Sequence, residues 1–139
     1  MATFNKFQAF VENVAEKVHN LGSDTLKVVL TNSAPAATNT VLANITQIAN
    51  GNGYTTGGAT TAQVSSAHTT GTYKLVLTDT TWTASGGSIG PFQYVVLYND
   101  TATNDELIGY YDYGTAITIT NGNSFTVDFD GSAGVLTIA

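Results

Sequence analysis

Few residues of this chain have the types and spacing for chemistry. The stretch Ile48-Ala-Asn-Gly-Asn-Gly-Tyr-Thr-Thr-Gly-Gly58 has the glycine content of a phosphate-cradling loop. A Walker loop needs Lys-Ser/Thr after its last glycine, and Ala59 stands there instead. A dinucleotide loop needs a strand before it, a helix after it and an acidic residue about twenty positions on. The residues after Gly58, "ATTAQVSSAHTTG", carry no helical apolar period, and Asp79 falls at a strand turn. The glycines read as a turn that supplies positive φ and close approach.

His19 and His68 are the only histidines. His19 falls in the last turn of an apolar-periodic segment, where partial positive charge suits a helix C-terminus. His68, in "VSSAHTTG", has serines nearby but no Gly-x-Ser-x-Gly elbow, so a Ser–His–Asp site would need partners from elsewhere. The acidic stretch "YNDTATNDE" (98–106) offers oxygens to a cation, and "DFDG" (128–131) is a fragment of a calcium loop. The latter lacks the third acidic position and the distal glutamate, and no spacing selects a glycosidase pair of carboxylates. Both clusters read as solvated polar surface. No catalytic residue, metal or cofactor is expected.

The aromatic residues Trp82, Tyr94, Tyr98, Tyr110, Tyr111 and Tyr113 fit a core or a subunit interface, where Tyr combines apolar area with a hydroxyl. The alternative is a sugar-stacking platform built from Trp82, Tyr110, Tyr111 and Tyr113. The sequons at Asn44 and Asn99 matter only in a secreted chain.

Composition narrows the field. Of 139 residues, 42% are hydrophobic, enough for one core, but only 10% are charged, against roughly 25% in ordinary soluble domains. Thr, Asn, Ser and Gly fill the polar quota, a mixture of strand and turn formers. The net charge is −6, with no arginine, which argues against binding a phosphate backbone. There is no cysteine, hence no disulfide or thiol chemistry. No apolar run approaches a membrane span, and the start of the chain lacks the layout of a signal peptide. Synthesis in the cytoplasm is the expectation, with no nucleic-acid or membrane partner.

The elements follow from hydrophobic period. Phe4, Phe7, Phe10, Val14, Val18 and Leu21 recur at three- and four-residue steps and predict an amphipathic helix over 4–21, capped by Thr3 and stopped at Gly22. Beyond it the period is two: 25–31, 72–78, 80–84, 91–99, 106–113, 116–120, 124–130 and 134–139 read as strands, the last with Leu136 and Ile138 inward. The strand 91–99 is apolar on both faces, as in a central strand or one that meets a partner. Asn121-Gly122-Asn123 predicts a hairpin. Residues 32–71 are irregular, with Val41, Leu42, Ile45 and Ile48 in a short helix or an edge strand. The whole reads as a single domain over 1–139: an all-β antiparallel β-sandwich over 24–139, jelly-roll-like or Ig-like, with one N-terminal amphipathic helix.

The segments "MATFNKFQAFVENVAEKVHNLGSDTLKVVLTN", "ITQIANGNGYTTGG", "GTYKLVL", "GPFQYVVLYND", "LIGYYDYG" and "FTVDFDGSAGVLTIA" together resemble small virion proteins of tailed bacteriophages. The resemblance covers nearly the whole chain. It implies a structural protein without catalysis: a capsid decoration (cement) protein on the outside of the virion head, partnered by the major capsid protein. A tail or head-fibre component with a receptor- or carbohydrate-binding role is the alternative. A homo-oligomer, a trimer, is expected. Phe4, Phe7, Phe10 and Val14 on the helix, and Tyr94 and Tyr98 on the doubly apolar strand, are the candidate capsid or subunit contacts.

Overall fold

The structure, a computed structural model, describes residues 2–139. The chain after Gly22 forms antiparallel strands: β2 (Leu26–Thr31), β3 (Ala59–Thr61), β4 (Gln63–Thr69), β5 (Thr72–Leu77), β6 (Thr80–Thr83), β7 (Ile89–Asn99), β8 (Leu107–Ile119), β9 (Ser124–Val127) and β10 (Leu136–Ile138). Of these, β3 and β4 lie in the stretch 32–71 that reads as irregular in the sequence, because their pairing partners β2 and β5 are distant or carry the apolar pattern for them. An N-terminal strand, β1 (Thr3–Lys6), completes a five-stranded sheet of order β1-β8-β7-β2-β3. The facing layer consists of a three-stranded sheet β10-β5-β4 and a two-stranded sheet β6-β9. These two are one ribbon with a break. β5 runs into β6 and β9 returns towards β10, and the Asp79 carboxylate accepts the Phe129 N–H (2.9 Å) where pairing is interrupted. The fold is thus an all-β sandwich with one short helix.

The main core lies between the layers. Leu26, Val28, Leu30, Phe92, Val95, Leu97 and Ile108 of the large sheet meet Leu75, Leu77, Trp82, Val127 and Leu136 of the facing one. The large sheet also buries its other face. Val29, Val96, Tyr98 and Leu107 are covered there by Phe7 and Ile45, with Leu42 and Tyr110 at the margin. Both apolar faces of β7 are therefore satisfied by the chain itself. Residues 32–50, left open by the sequence, supply part of this cover through a single 3-10 turn at Leu42–Asn44, whose Asn44 side chain accepts the Thr40 and Val41 N–H groups (3.0 and 3.2 Å).

Three expectations need correction. The helix over 4–21 is instead a strand, β1, followed by one short helix, α1 (Ala9–Ala15). Phe4 sits in the ladder opposite Tyr111, and Lys17 takes a left-handed conformation (φ 66°) that stops the helix well before Gly22. Val18 and His19 both donate to the Asn13 carbonyl across that stop (2.8 and 3.3 Å), an arrangement that usually places glycine where Lys17 stands. Secondly, Asn121-Gly122-Asn123 does turn, with Asn123 N–H on the Thr120 carbonyl (2.9 Å), but it joins no hairpin: β8 pairs with β7 and β1, and β9 pairs with β6. The stretches 106–113 and 116–120 are one strand, β8. Thirdly, Ile138 is not inward but exposed, whereas Leu136 is buried.

Candidate functional site

The glycine stretch is built as a turn. Gly51 and Tyr54 exchange two backbone bonds (2.7 and 3.0 Å), with Asn52 and Gly53 between them at positive φ. Tyr54 runs into the core beside Trp82, and its hydroxyl donates to Gln47 Oε1 (2.8 Å). Burial pushes that hydroxyl up to about 12. The donors a phosphate would need are taken: Thr56 N–H by Asn50 Oδ1, Gly57 N–H by Gln47 Oε1, and Gly58 N–H by the Thr55 carbonyl. At Gly58 (φ 76°) a Cβ would collide with the Val28 carbonyl, so glycine is required by packing against β2.

His19 lies beyond α1 and is buried, so it does not serve the helix end as its position in the sequence suggested. It stacks on Phe10 (5.5 Å between centroids) and belongs to a polar hub centred on Asn99, which is 0% exposed. Asn99 Oδ1 accepts the Thr101 and Ala102 N–H groups (3.0 and 3.2 Å), which fixes the amide orientation. Its Nδ2 then donates to Asp24 Oδ2 (2.7 Å) and to His19 Nδ1 (3.0 Å), so His19 carries its proton on Nε2. That Nε2 is near the Leu107 backbone but meets no partner with good hydrogen-bond geometry. Burial lowers the His19 pKa, with Glu106 and Asp24 pulling the other way. The hub ties the chain after α1 to the loop after β7. Sequence reasoning missed it, although Asn99 falls in phase with Val95 and Leu97 on the core face of its strand. Its depth closes the sequon at Asn99 in the folded chain.

The other candidates do not converge. His68 is exposed on β4, while Ser66 Oγ pairs with Tyr73 OH (2.8 Å). Asp100 pairs with Lys27 (3.2 Å), and Glu106 accepts from the N–H and side chain of Asn104 (3.2 Å each). Burial, then Asp100 and Glu106, raise the Asp105 pKa. Asp130 accepts the Ala133 and Ser132 N–H groups (2.8 Å each), which hold its pKa down. Among the described residues no three His, Cys, Asp or Glu side chains are grouped to hold a metal.

Of the six candidate contacts, Phe7, Phe10 and Tyr98 are buried within the fold. Phe4 is half-buried on Tyr111 and passes over Gly109, Tyr94 is half-buried against Tyr110, and Val14 is half-buried on α1. The apolar residue that α1 does present is Val11, 54% exposed. The aromatic platform is divided: Trp82 is in the core, Tyr110 packs with Phe7 on the back of the large sheet, and Tyr111 faces Phe129 on the front. Tyr113 lies between one cleft with Asp112 and another with Asp128, and the largely buried Tyr111 lines the second of these as well.

A cleft of about 400 Å³ opens at one end of the sandwich, between the chain leaving α1 and the β4-β5-β10 sheet. Val14, Leu21 and Ile138 give it an apolar wall, Lys17 and Asn20 stand on the α1 side, and the Ser66–Tyr73 hydroxyl pair lies on the sheet side. Gly22 closes on Ser66 so tightly that a Cβ would sit 3.1 Å from its Oγ. A second cleft, of about 600 Å³, is lined by Lys17, Asp24, Glu106 and the loop Thr101–Asn104.

Compared with known proteins, the chain matches no family model, no curated protein and no solved structure.

Proposed function

We propose that the chain is a phage virion structural protein: a capsid decoration (cement) protein, bound as trimers in many copies to the outer head surface, where it stabilises the shell without catalysis. The reading starts from the resemblance of its segments to small virion proteins of tailed phages. The structural observation that supports it is the double burial at β7. A short chain that seals both faces of its central sheet is a stiff body, able to hold fixed contact surfaces across the joints of a shell. Many weak contacts then act together within a trimer, because each subunit that binds raises the effective concentration of the subunits linked to it.

Quantitative mass spectrometry of purified virions tests the reading through the copy number relative to the major capsid protein. A ratio near one, or a simple fraction matching the symmetry axes of the shell, is expected. Absence from virions would overturn it. The second reading, a tail or head-fibre component that binds a carbohydrate, is favoured by Tyr113, whose ring borders two clefts that each carry a carboxylate. It requires a few copies per particle, and glycan binding that a Tyr113→Ala variant loses. With Trp82 in the core, that residue has no part in it.

A further inference from the structure

The geometry points to a binding site for a compact aliphatic carboxylate in the cleft between the chain leaving α1 and the β4-β5-β10 sheet. This inference is independent of the virion reading. The cleft is of small-ligand size, about 400 Å³. Val14, Leu21 and Ile138 present aliphatic surface, and Ile138 is 38% exposed although its side chain is wholly apolar. Covering such surface is worth about 25 cal/mol per Å² removed from water.

The polar groups around that surface are donors. Whichever hydroxyl of the Ser66–Tyr73 pair donates to the other, one hydrogen remains free to donate outwards. Lys17 adds an ammonium and Asn20 an amide, and no carboxylate lines the cleft, in a chain whose net charge is −6. Among the described residues the ion pair belongs to Lys27 and Asp100, which leaves Lys17 without a partner. His19 also lines the cleft, with burial lowering its pKa, while Asp24 and Glu106 line the second cleft, which shares Lys17 and Asn20 with this one. An apolar wall with one cation and a free hydroxyl donor complements a branched alkyl group bearing a carboxylate. Such a group occurs in a free branched-chain acid or at the C-terminus of a peptide ending in Leu, Ile or Val.

The full-length protein would be titrated with 4-methylpentanoate and with a tripeptide ending in leucine, each beside its C-terminal amide, and followed by ¹H–¹⁵N NMR. The carboxylates are expected to shift the amides of Leu21, Gly22, Ser66, Tyr73 and Ile138, with the amides binding at least about tenfold more weakly. Stronger binding of the tripeptide identifies a chain terminus, and stronger binding of the free acid a small ligand. Lys17→Gln should weaken binding about as much as amidation does, and Lys17→Arg should retain it. Shifts confined to other regions, equal binding of acid and amide, or no shift at millimolar ligand would overturn the proposal.

Discussion

Asn99 uses all four of its hydrogen-bonding positions inside the protein, and one of them is a donor aimed at the Nδ1 of His19, whose pKa burial lowers. Protonating Nδ1 would set two donors face to face. The amide has no relief by flipping, since its oxygen already serves two backbone N–H groups. The sign of the pH effect follows. Folding lowers the His19 pKa from its ordinary 6.5, so as pH falls below that value the unfolded chain binds the proton first. Stability is complete above the unfolded pKa and is lost progressively towards the depressed folded value. Asp24 and Glu106 oppose the loss, and their attraction is the smaller influence. The urea midpoint should therefore drop between about pH 7.5 and about pH 5.5, well above the range of ordinary carboxylates. A His19→Gln variant should be flatter over the same interval, and an equal slope in both proteins would remove His19 as the cause. The sequence placed His19 at a helix end because it extended the helix too far. It showed Asn99 as a sequon, since a polar residue in phase with buried ones is visible only when the strand's inner face is known.

At the scale of elements, period two was a dependable guide, because alternation along 25–31 and 72–78 has one physical cause, a face turned to a core. The N-terminal segment defeated the same reasoning. Steps of three between Phe4, Phe7 and Phe10 match one helical face, yet the three rings go to separate places: onto Tyr111, onto the back of the large sheet and into the main core. A strand, a turn and a short helix deliver them there, and that path depends on β8, a distant part of the chain. Consequently the N-terminal segment is a structural cover rather than a detachable dock, and removing 1–21 would expose Val29, Val96 and Tyr98. Phe7→Ala should destabilise the protein by about 3–5 kcal/mol, as for other fully buried phenylalanines. Val11→Asp, on the exposed side of α1, should stay within about 0.5 kcal/mol of wild type. Urea denaturation of both variants measures the contrast, and a near-neutral Phe7→Ala would mean that the back of the sheet is covered by something other than this ring.

At the scale of the whole molecule, the sandwich was legible from composition and period, whereas the strand order was not. Which strands become neighbours is decided by long-range pairing, as when β1 crosses the chain to reach β8. The proposed function belongs to this scale too, since it rests on the body as a whole and not on one cluster of side chains. On the proposed reading, an acidic body on the outside of a head would add contacts across shell joints, and its −6 charge would keep particles from adhering to one another. Cementing has a consequence that mere attachment does not. Each copy bound to the assembled shell, and not to its separated subunits, shifts the equilibrium towards the assembled state by mass action. Heads from phage lacking this protein should release their DNA at a lower temperature than wild-type heads, and adding purified protein back should restore the difference in a concentration-dependent way. A dye that fluoresces on released DNA during a thermal ramp reads this directly. Coincident release curves, with the protein present at high copy number in wild-type virions, would leave it a passenger on the shell and return attention to the clefts beside Tyr113.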